Sequence, residues 1–348
     1  MRMVIDAEGV FDGTGPKLAL GVLRYRSDDV VAVVDGEHAG GTARDRTGVP
    51  RVPPVPVVGD LDAALRYGPD TFVVGHSPMQ SMLPAGLRGR ILAALDAKLD
   101  VVCGLHHQLG DDPELSGAAD RAGRRIWDLR RPPEQDVQVG TGGLRHRPGS
   151  HTVLAVGSDC NAGKMTTMVE LDREAARRGL SSRFVATGQT GILIAGDGVP
   201  ADHVVADFLP TLMHEQVCAA TAEHDLVLVE GQAALNHPWY SGVSLGLLHG
   251  TAPDALVLCH LAGARELGHL PLPIPPLAQV VAMNEAAATW GGGPAARVVA
   301  IALNTGRRTE SEAADALAAA TDETGLPAVD VFRSGPTPLL DAILEAHH

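Results

Sequence analysis

The stretch that most constrains this 348-residue chain is Val153 to Thr167, VLAVGSDCNAGKMTT. An apolar run leads into a glycine, a short polar loop, Gly163-Lys164 and then a helical pattern. That order predicts a buried strand, a phosphate-binding loop and a helix whose N-terminus faces the loop. Free N–H groups converge at such an end, and the helix macrodipole adds about half a positive charge there. Gly163 permits close backbone approach, and Lys164 carries a point charge to the terminal phosphates. The expected nucleotide contacts are Gly157, Asp159, Cys160, Asn161, Ala162, Gly163, Lys164, Met165, Thr166 and Thr167. The standard loop would have its first glycine at Ser158, one position after Gly157. Met165 stands where a Ser or Thr usually binds Mg²⁺. Either Thr166 takes over that role, or the metal is held otherwise, or the loop binds phosphate without metal. The plainer alternative is an ordinary strand–turn–helix junction. Cys160 sits where a helix N-terminus can depress a thiol pKa. No histidine accompanies it within the motif, so it reads as a small packing residue.

Other candidates follow downstream. Leu226 to Gln232, LVLVEGQ, predicts a buried strand ending in an acid and a glycine. Glu230 is the expected Mg²⁺ ligand, directly or through water, with Thr166 and Asp207 as further metal candidates. Thr187, Gly188, Gln189, Thr190 and Gly191 read as a tight loop with polar tips near a ligand. Gln232 and Tyr240 are further substrate candidates, and His237 is a candidate general base beside the catalytic candidates Lys164 and Glu230. Asn304 ends a strand, where it either reads an adenine edge or forms a turn. In the first third of the chain, His76 and His106 each follow a buried strand. They are expected to line a second, substrate-facing pocket. Asp128 and Arg130 are weaker candidates in the same region.

Short apolar runs alternate with helical patterns along the whole chain, which implies α/β architecture with parallel sheets covered on both faces. The first third carries VVAVVD (30–35), TFVVG (71–75) and DVVCG (100–104) as strands, and Asp60 as the N-cap of a short helix. A break rich in glycine and basic residues at 137–151 reads as a connector. The expected organisation is a first domain at 1–140, a linker at 141–151 and a phosphate-loop domain at 152–348. The chain has 28 Lys and Arg against 42 Asp and Glu, a formal charge of −14. With only five Phe, three Trp and three Tyr, it offers neither a basic face nor stacking platforms for nucleic acid. Cys103, Cys160, Cys218 and Cys259 form no CxxC pair, which fits a reducing compartment. No signal sequence and no 18-residue apolar span is read, so a cytoplasmic location is expected. A homo-oligomer is expected on general grounds.

The stretches GVLRY (21–25), VVAVVD (30–35), GLHHQL (104–109), GSDCNAGKMTT (157–167), ATGQTGILIAGDGV (186–199), ADF (206–208), VEGQAALNHPWYSGVSLGLLHG (229–250) and PDALVLCH (253–260) together resemble the D-glutamate N-acetyltransferase-like family. The family was long catalogued as a domain of unknown function. The resemblance implies a Rossmann-like parallel sheet followed by a P-loop domain similar to dethiobiotin synthetase. It also implies an enzyme that forms an amide on the amino group of an amino acid. The donor would be acetyl-CoA, its CoA phosphates in the loop, or a carboxylate activated by ATP with Mg²⁺. An ATP-dependent ligase or kinase and a non-catalytic nucleotide sensor are the alternatives. The sequence departs from the family pattern at Ala233, where a glycine commonly follows Gln232, and at GHSP (75–78).

Overall fold

Strand β1 (Met3–Asp6) has every residue buried and sits at the middle of the first sheet. Around it run β2 (Val30–Val34), β3 (Val57–Val58), β4 (Thr71–Val74), β5 (Asp100–Cys103) and β6 (Ile126–Asp128). The spatial order is β3-β2-β1-β4-β5-β6, all parallel. This is the doubly wound order that reverses direction beside the first strand. The computed structural model that shows this describes residues 1–9, 11, 17–49, 51–75, 83–134, 137–140, 143–268, 270–290 and 295–346. His76, Ser77 and Pro78 of the GHSP departure lie outside the described residues.

Helices α1 (Lys17–Tyr25), α2 (Ala43–Thr47), α3 (Leu61–Leu65), α4 (Ala85–Asp96) and α5 (Pro113–Ala122) accompany this sheet. Their ends follow local chemistry. Asp60 caps α3, accepting from the Ala63 amide at 2.7 Å, as its position implies. Asp112 caps α5, Pro113 opens it, and Gly123 closes it in the left-handed region. A buried carboxylate at the end of β1 is paired. Asp6 receives both Nε and Nη2 of Arg90, at 2.8 and 3.1 Å.

The second sheet comprises β7 (His151–Gly157), β8 (Ser182–Val185), β9 (Leu226–Val229), β10 (Ala255–Leu261), β11 (Arg297–Asn304) and β12 (Ala328–Val329). Its order is β12-β11-β10-β7-β9-β8, again all parallel. The fold is therefore α/β with two parallel sheets. The remaining helices are α6 (Lys164–Arg177), α7 (Gln189–Ala195), α8 (Leu209–Glu223), α9 (Ser241–Thr251), α10 (Leu277–Ala288), α11 (Glu310–Thr324) and α12 (Thr337–Glu345). One apolar cluster runs from β7 and β9 through α8 and α9 to β10 and β11. Each fully buried Leu or Val in it stabilises the fold by about 1.5–3 kcal/mol before entropy is counted.

Contacts divide the chain into one unit of Met1–Pro132 with Gln189–Gly196, and another of Pro133–Gly188 with Asp197–His348. The segment expected to be a tight loop at 187–191 differs from that expectation. Helix α7 starts at Gln189, and it belongs to the first unit, packed on α1. Its apolar face is only Ile192 and Leu193, too short to show a period in the sequence. Helix α9 is also unexpected from propensity, because it contains Gly242, Gly246 and Gly250. Two of these let α8 approach closely. A Cβ on Gly250 would lie 2.5 Å from the Pro210 carbonyl oxygen, and one on Gly246 would lie 2.9 Å from Leu209 Cδ2.

Candidate active site

Because β7, β8, β9 and β10 are parallel neighbours, the residues that follow them emerge at one edge of the second sheet. The loop after β7 is shaped by backbone. Asn161 has φ +62° and Gly163 φ +107°, so the chain turns through left-handed conformations before α6 begins at Lys164. Asp159 braces this loop. Its Oδ1 accepts from the Cys160 amide at 2.6 Å, and its Oδ2 accepts from the Gly268 amide at 2.8 Å. Ala162 and Thr167 are buried, and Met165 and Thr166 are half-buried on the first turn of α6. Lys164 is buried, and its Nζ donates to the Asp159 carbonyl at 2.8 Å. Burial pulls its pKa below the usual lysine range, while nearby thiols and the Asp159 and Glu230 carboxylates act the other way. A Cβ on Gly157 would come within 2.7 Å of Lys164 Nζ, so the lysine crosses the end of β7 where no side chain stands.

Glu230 follows β9 beside this lysine. Its Oε2 accepts from the amides of Thr187 and Gly188 at 2.9 and 3.0 Å. Thr187 Oγ1 donates back to the Glu230 carbonyl at 2.7 Å and accepts from Gln232 Nε2 at 3.0 Å. Burial raises the Glu230 pKa to about 7, against the opposing pull of the two amides and of Lys164. The structure thus brings together Gly157, Asp159, Lys164, Thr187, Gly188, Glu230 and Gln232.

His237 is fully buried and stacks on Tyr240, with ring centroids 4.5 Å apart and planes at 24°. Its Nδ1 accepts from the Trp239 amide at 3.3 Å, while Nε2 has no hydrogen-bond partner among the described residues. A ring nitrogen of His237, the Cys160 thiol and an Asp159 carboxylate oxygen lie within 4.8 Å of one another. The sequence motif contains no histidine for Cys160. The fold supplies one from 77 positions downstream, which spacing alone could not reveal. His260 was likewise undistinguished in the sequence. It lies one residue before the end of β10, which pairs with β7, and its Nδ1 lies 2.7 Å from Ser158 Oγ.

Asn304 is exposed, and its Oδ1 accepts from the Gly306 amide at 3.1 Å, the turn-forming geometry. Asp207 is exposed. Gln189, Thr190 and Gly191 belong to the first unit through α7. His106 is exposed in that same unit. Asp128 and Arg130 hold the first sheet's edge in place. Asp128 accepts from the Leu109 and Gly110 amides at 2.9 Å each, and Arg130 Nε donates to the Gly104 carbonyl at 2.8 Å.

Two family descriptions match the chain. Residues 36–132 match the Rossmann-like N-terminal domain of unknown function DUF1611_N, and residues 138–340 match the P-loop domain DUF1611_C. The chain belongs to the DUF1611 family. A D-glutamate N-acetyltransferase from Tritonibacter scottomollicae is 35% identical over 335 residues, covering 95% of each chain. Another so named, from Pseudoalteromonas sp., is 34% identical over 273 residues, covering 78% of this chain and 80% of its own. The crystal structure of a DUF1611 family protein from Anabaena variabilis is similar throughout. Its TM-score is 0.92 and its identity 38%, with 99% of this chain and all of that one covered. Among the described residues, no helix is long and apolar enough to cross a membrane.

Proposed function

We propose that this DUF1611 member is an N-acetyltransferase that moves an acetyl group from acetyl-CoA to the amino group of an acidic amino acid of the D-glutamate type. The observation that carries the reading is the near full-length match to a D-glutamate N-acetyltransferase, joined to a loop that fits a phosphate-bearing donor. Lys164 is the fixed cation of that loop, and the amides at the start of α6 are its donors. The glycine cradle at 157 and the left-handed turn at 163 leave the backbone open to approach.

In this reading the substrate amine attacks the thioester carbonyl. The C–N bond forms, the C–S bond breaks, the thiol of CoA leaves, and the amine gives up a proton. His237, buried and with an unpartnered Nε2, is the proposed proton acceptor. Acyl transfer from a thioester needs no metal. Magnesium belongs to the ATP-dependent alternative, in which Thr166, Asp207 and Glu230 would hold it. Thr187, Gly188, Gln232 and Tyr240 are the proposed substrate contacts.

The test incubates the purified chain with acetyl-CoA and D-glutamate, without ATP, and follows amide by mass and thiol by a colorimetric reagent. One thiol per amide is expected, with turnover falling about 10²–10³-fold in Lys164→Ala through loss of one electrostatic contact. Amide formed only with ATP, with nucleotide cleavage, would replace this reading with an ATP-dependent ligase. No amide from a panel of amino acids with either donor would remove both.

A further inference from the structure

Away from the phosphate loop, the second unit gathers His146, His214 and Cys218. His214 and Cys218 stand one turn apart on α8, so their side chains leave the same face. The segment before β7 runs along that helix and is anchored at two points. The Gly140 amide donates to Thr211 Oγ1 at 3.0 Å. Arg147 donates to the Thr221 and His224 carbonyls at 2.7 and 3.0 Å and pairs with Asp225 at 2.6 Å. Between these anchors His146 stacks on His214, with ring centroids 5.6 Å apart and planes at 24°.

One potential ligand atom from each of the three side chains lies within 4.8 Å of the other two. Cys218 Sγ and His214 Nε2 are 3.5 Å apart. A tetrahedral zinc ion, with Zn–S about 2.3 Å and Zn–N about 2.1 Å, sets a sulfur–nitrogen edge of about 3.6 Å. His146 Nε2 is buried with no hydrogen-bond partner among the described residues. A buried polar atom in that state is costly and points to an absent partner. His214 Nε2 also lies 3.2 Å from the Leu144 carbonyl, a contact that ligation would replace.

We propose that His146, His214 and Cys218 form a binding site for a divalent transition-metal ion of the zinc type. Imidazole and thiolate donors select such ions over magnesium or calcium. Three protein ligands leave a fourth position for water. The ion ties the segment that leads into β7 to the middle of α8. The proposal stands apart from the acetyl-transfer reading, since none of its ligands belongs to the phosphate-loop cluster.

The test uses the full chain, stripped with a chelator and titrated with Co²⁺ as an absorbing substitute for Zn²⁺. The expected result is one equivalent bound, with a near-ultraviolet thiolate-to-cobalt band and visible bands of four-coordinate intensity. Cys218→Ser should abolish the thiolate band. His146→Ala should weaken Co²⁺ binding by more than about a hundredfold, beyond the roughly 10–100-fold effect of losing a supporting group. Circular dichroism establishes that each variant is folded. If Cys218→Ser does not fold, His146→Ala decides, because His146 lies outside the helix. No thiolate band in the wild type, or unchanged affinity in His146→Ala, overturns the proposal. A band that survives Cys218→Ser and disappears in Cys160→Ser also overturns it, by placing the metal at the Asp159–Cys160–His237 group.

Discussion

Replacing Glu230 by glutamine should change how stability depends on pH, and the sign follows from burial. The carboxyl is fully buried, and its pKa rises to about 7 from an ordinary 4.5. A group that binds its proton more tightly when folded favours folding at low pH. That advantage is fully present below pH 4.5 and disappears as pH climbs through 7. A separation of this size corresponds to roughly 3 kcal/mol, since each pKa unit is worth about 1.4 kcal/mol. The glutamine side chain would keep an oxygen to accept from Thr187 and Gly188 but would not titrate. The assay is urea unfolding of both proteins at half-unit steps from pH 4.5 to 8, without ligand. Titrating groups that do not interact with Glu230 cancel in the difference between the two curves. The wild type is expected to lose roughly 3 kcal/mol relative to the Glu230→Gln variant across that range, most steeply midway between the two pKa values, at about pH 5 to 6.5. Parallel pH profiles would refute the reasoning, and so would a wild type that gains relative stability as pH rises.

Four further substitutions test the packing. Gly250→Ala should destabilise by about 2 kcal/mol, because its Cβ meets the Pro210 backbone rather than a side chain that can move. Gly89→Ala, exposed in the middle of α4 with nothing within 4 Å of the new Cβ, should stabilise by about 0.5–1 kcal/mol in thermal melts. Ala233→Gly should stabilise by up to about 1 kcal/mol, since Ala233 has φ +51° and a left-handed alanine costs about 1–2 kcal/mol, offset in part by chain entropy. Gly188→Ala should leave the protein folded but displace Glu230 from its amides. Its Cβ would meet only the mobile ends of Gln232, at 2.6 Å, and Glu230, at 3.1 Å. A pH dependence of stability at least as large as that described for Glu230 is the expected signature, because the amides that pull its pKa down are lost while its burial remains.

Some of this was legible in the sequence for physical reasons that can be named. Buried parallel strands are continuous apolar runs, so β2, β4, β5, β7, β9, β10 and β11 could be read directly. β1 could not, because four residues, MVID, carry too little pattern. Strand β12 is two residues long. Helix α9 contradicts its own propensities and exists because its glycines admit α8. The phosphate loop was legible because its geometry is local to fifteen residues. The nearness of Lys164 to Glu230 required only that β7 and β9 be neighbours. The approach of His237 to Cys160, the contact of His260 with Ser158 and the His146–His214–Cys218 group were not legible. Each depends on side chains from separate elements, and no spacing rule encodes them. The departure noted at Ala233 does acquire a structural meaning, since the backbone there adopts the conformation that glycine favours.

Three strand ends of the second sheet share one device, and it explains why two charges can be buried side by side. Gly157 is the last residue of β7, Gly188 lies three residues beyond Val185 at the end of β8, and Gly231 follows Glu230 after β9. At each, an added Cβ would strike a neighbour that matters to the site. At Gly157 it meets the Lys164 ammonium, and at Gly188 the Gln232 and Glu230 side chains. At Gly231 it would overlap the Ala155 carbonyl, which is backbone and cannot yield. The glycines therefore let Lys164 and Glu230 enter the sheet edge where water is excluded. Exclusion of water pushes Lys164 toward neutrality and Glu230 toward protonation. A phosphate held by the loop would reverse the first of these by restoring a counter-charge to the ammonium. Ligand binding at the loop and the charge state of the site are in this way two descriptions of one equilibrium, and its position is set by where the strands can do without a side chain.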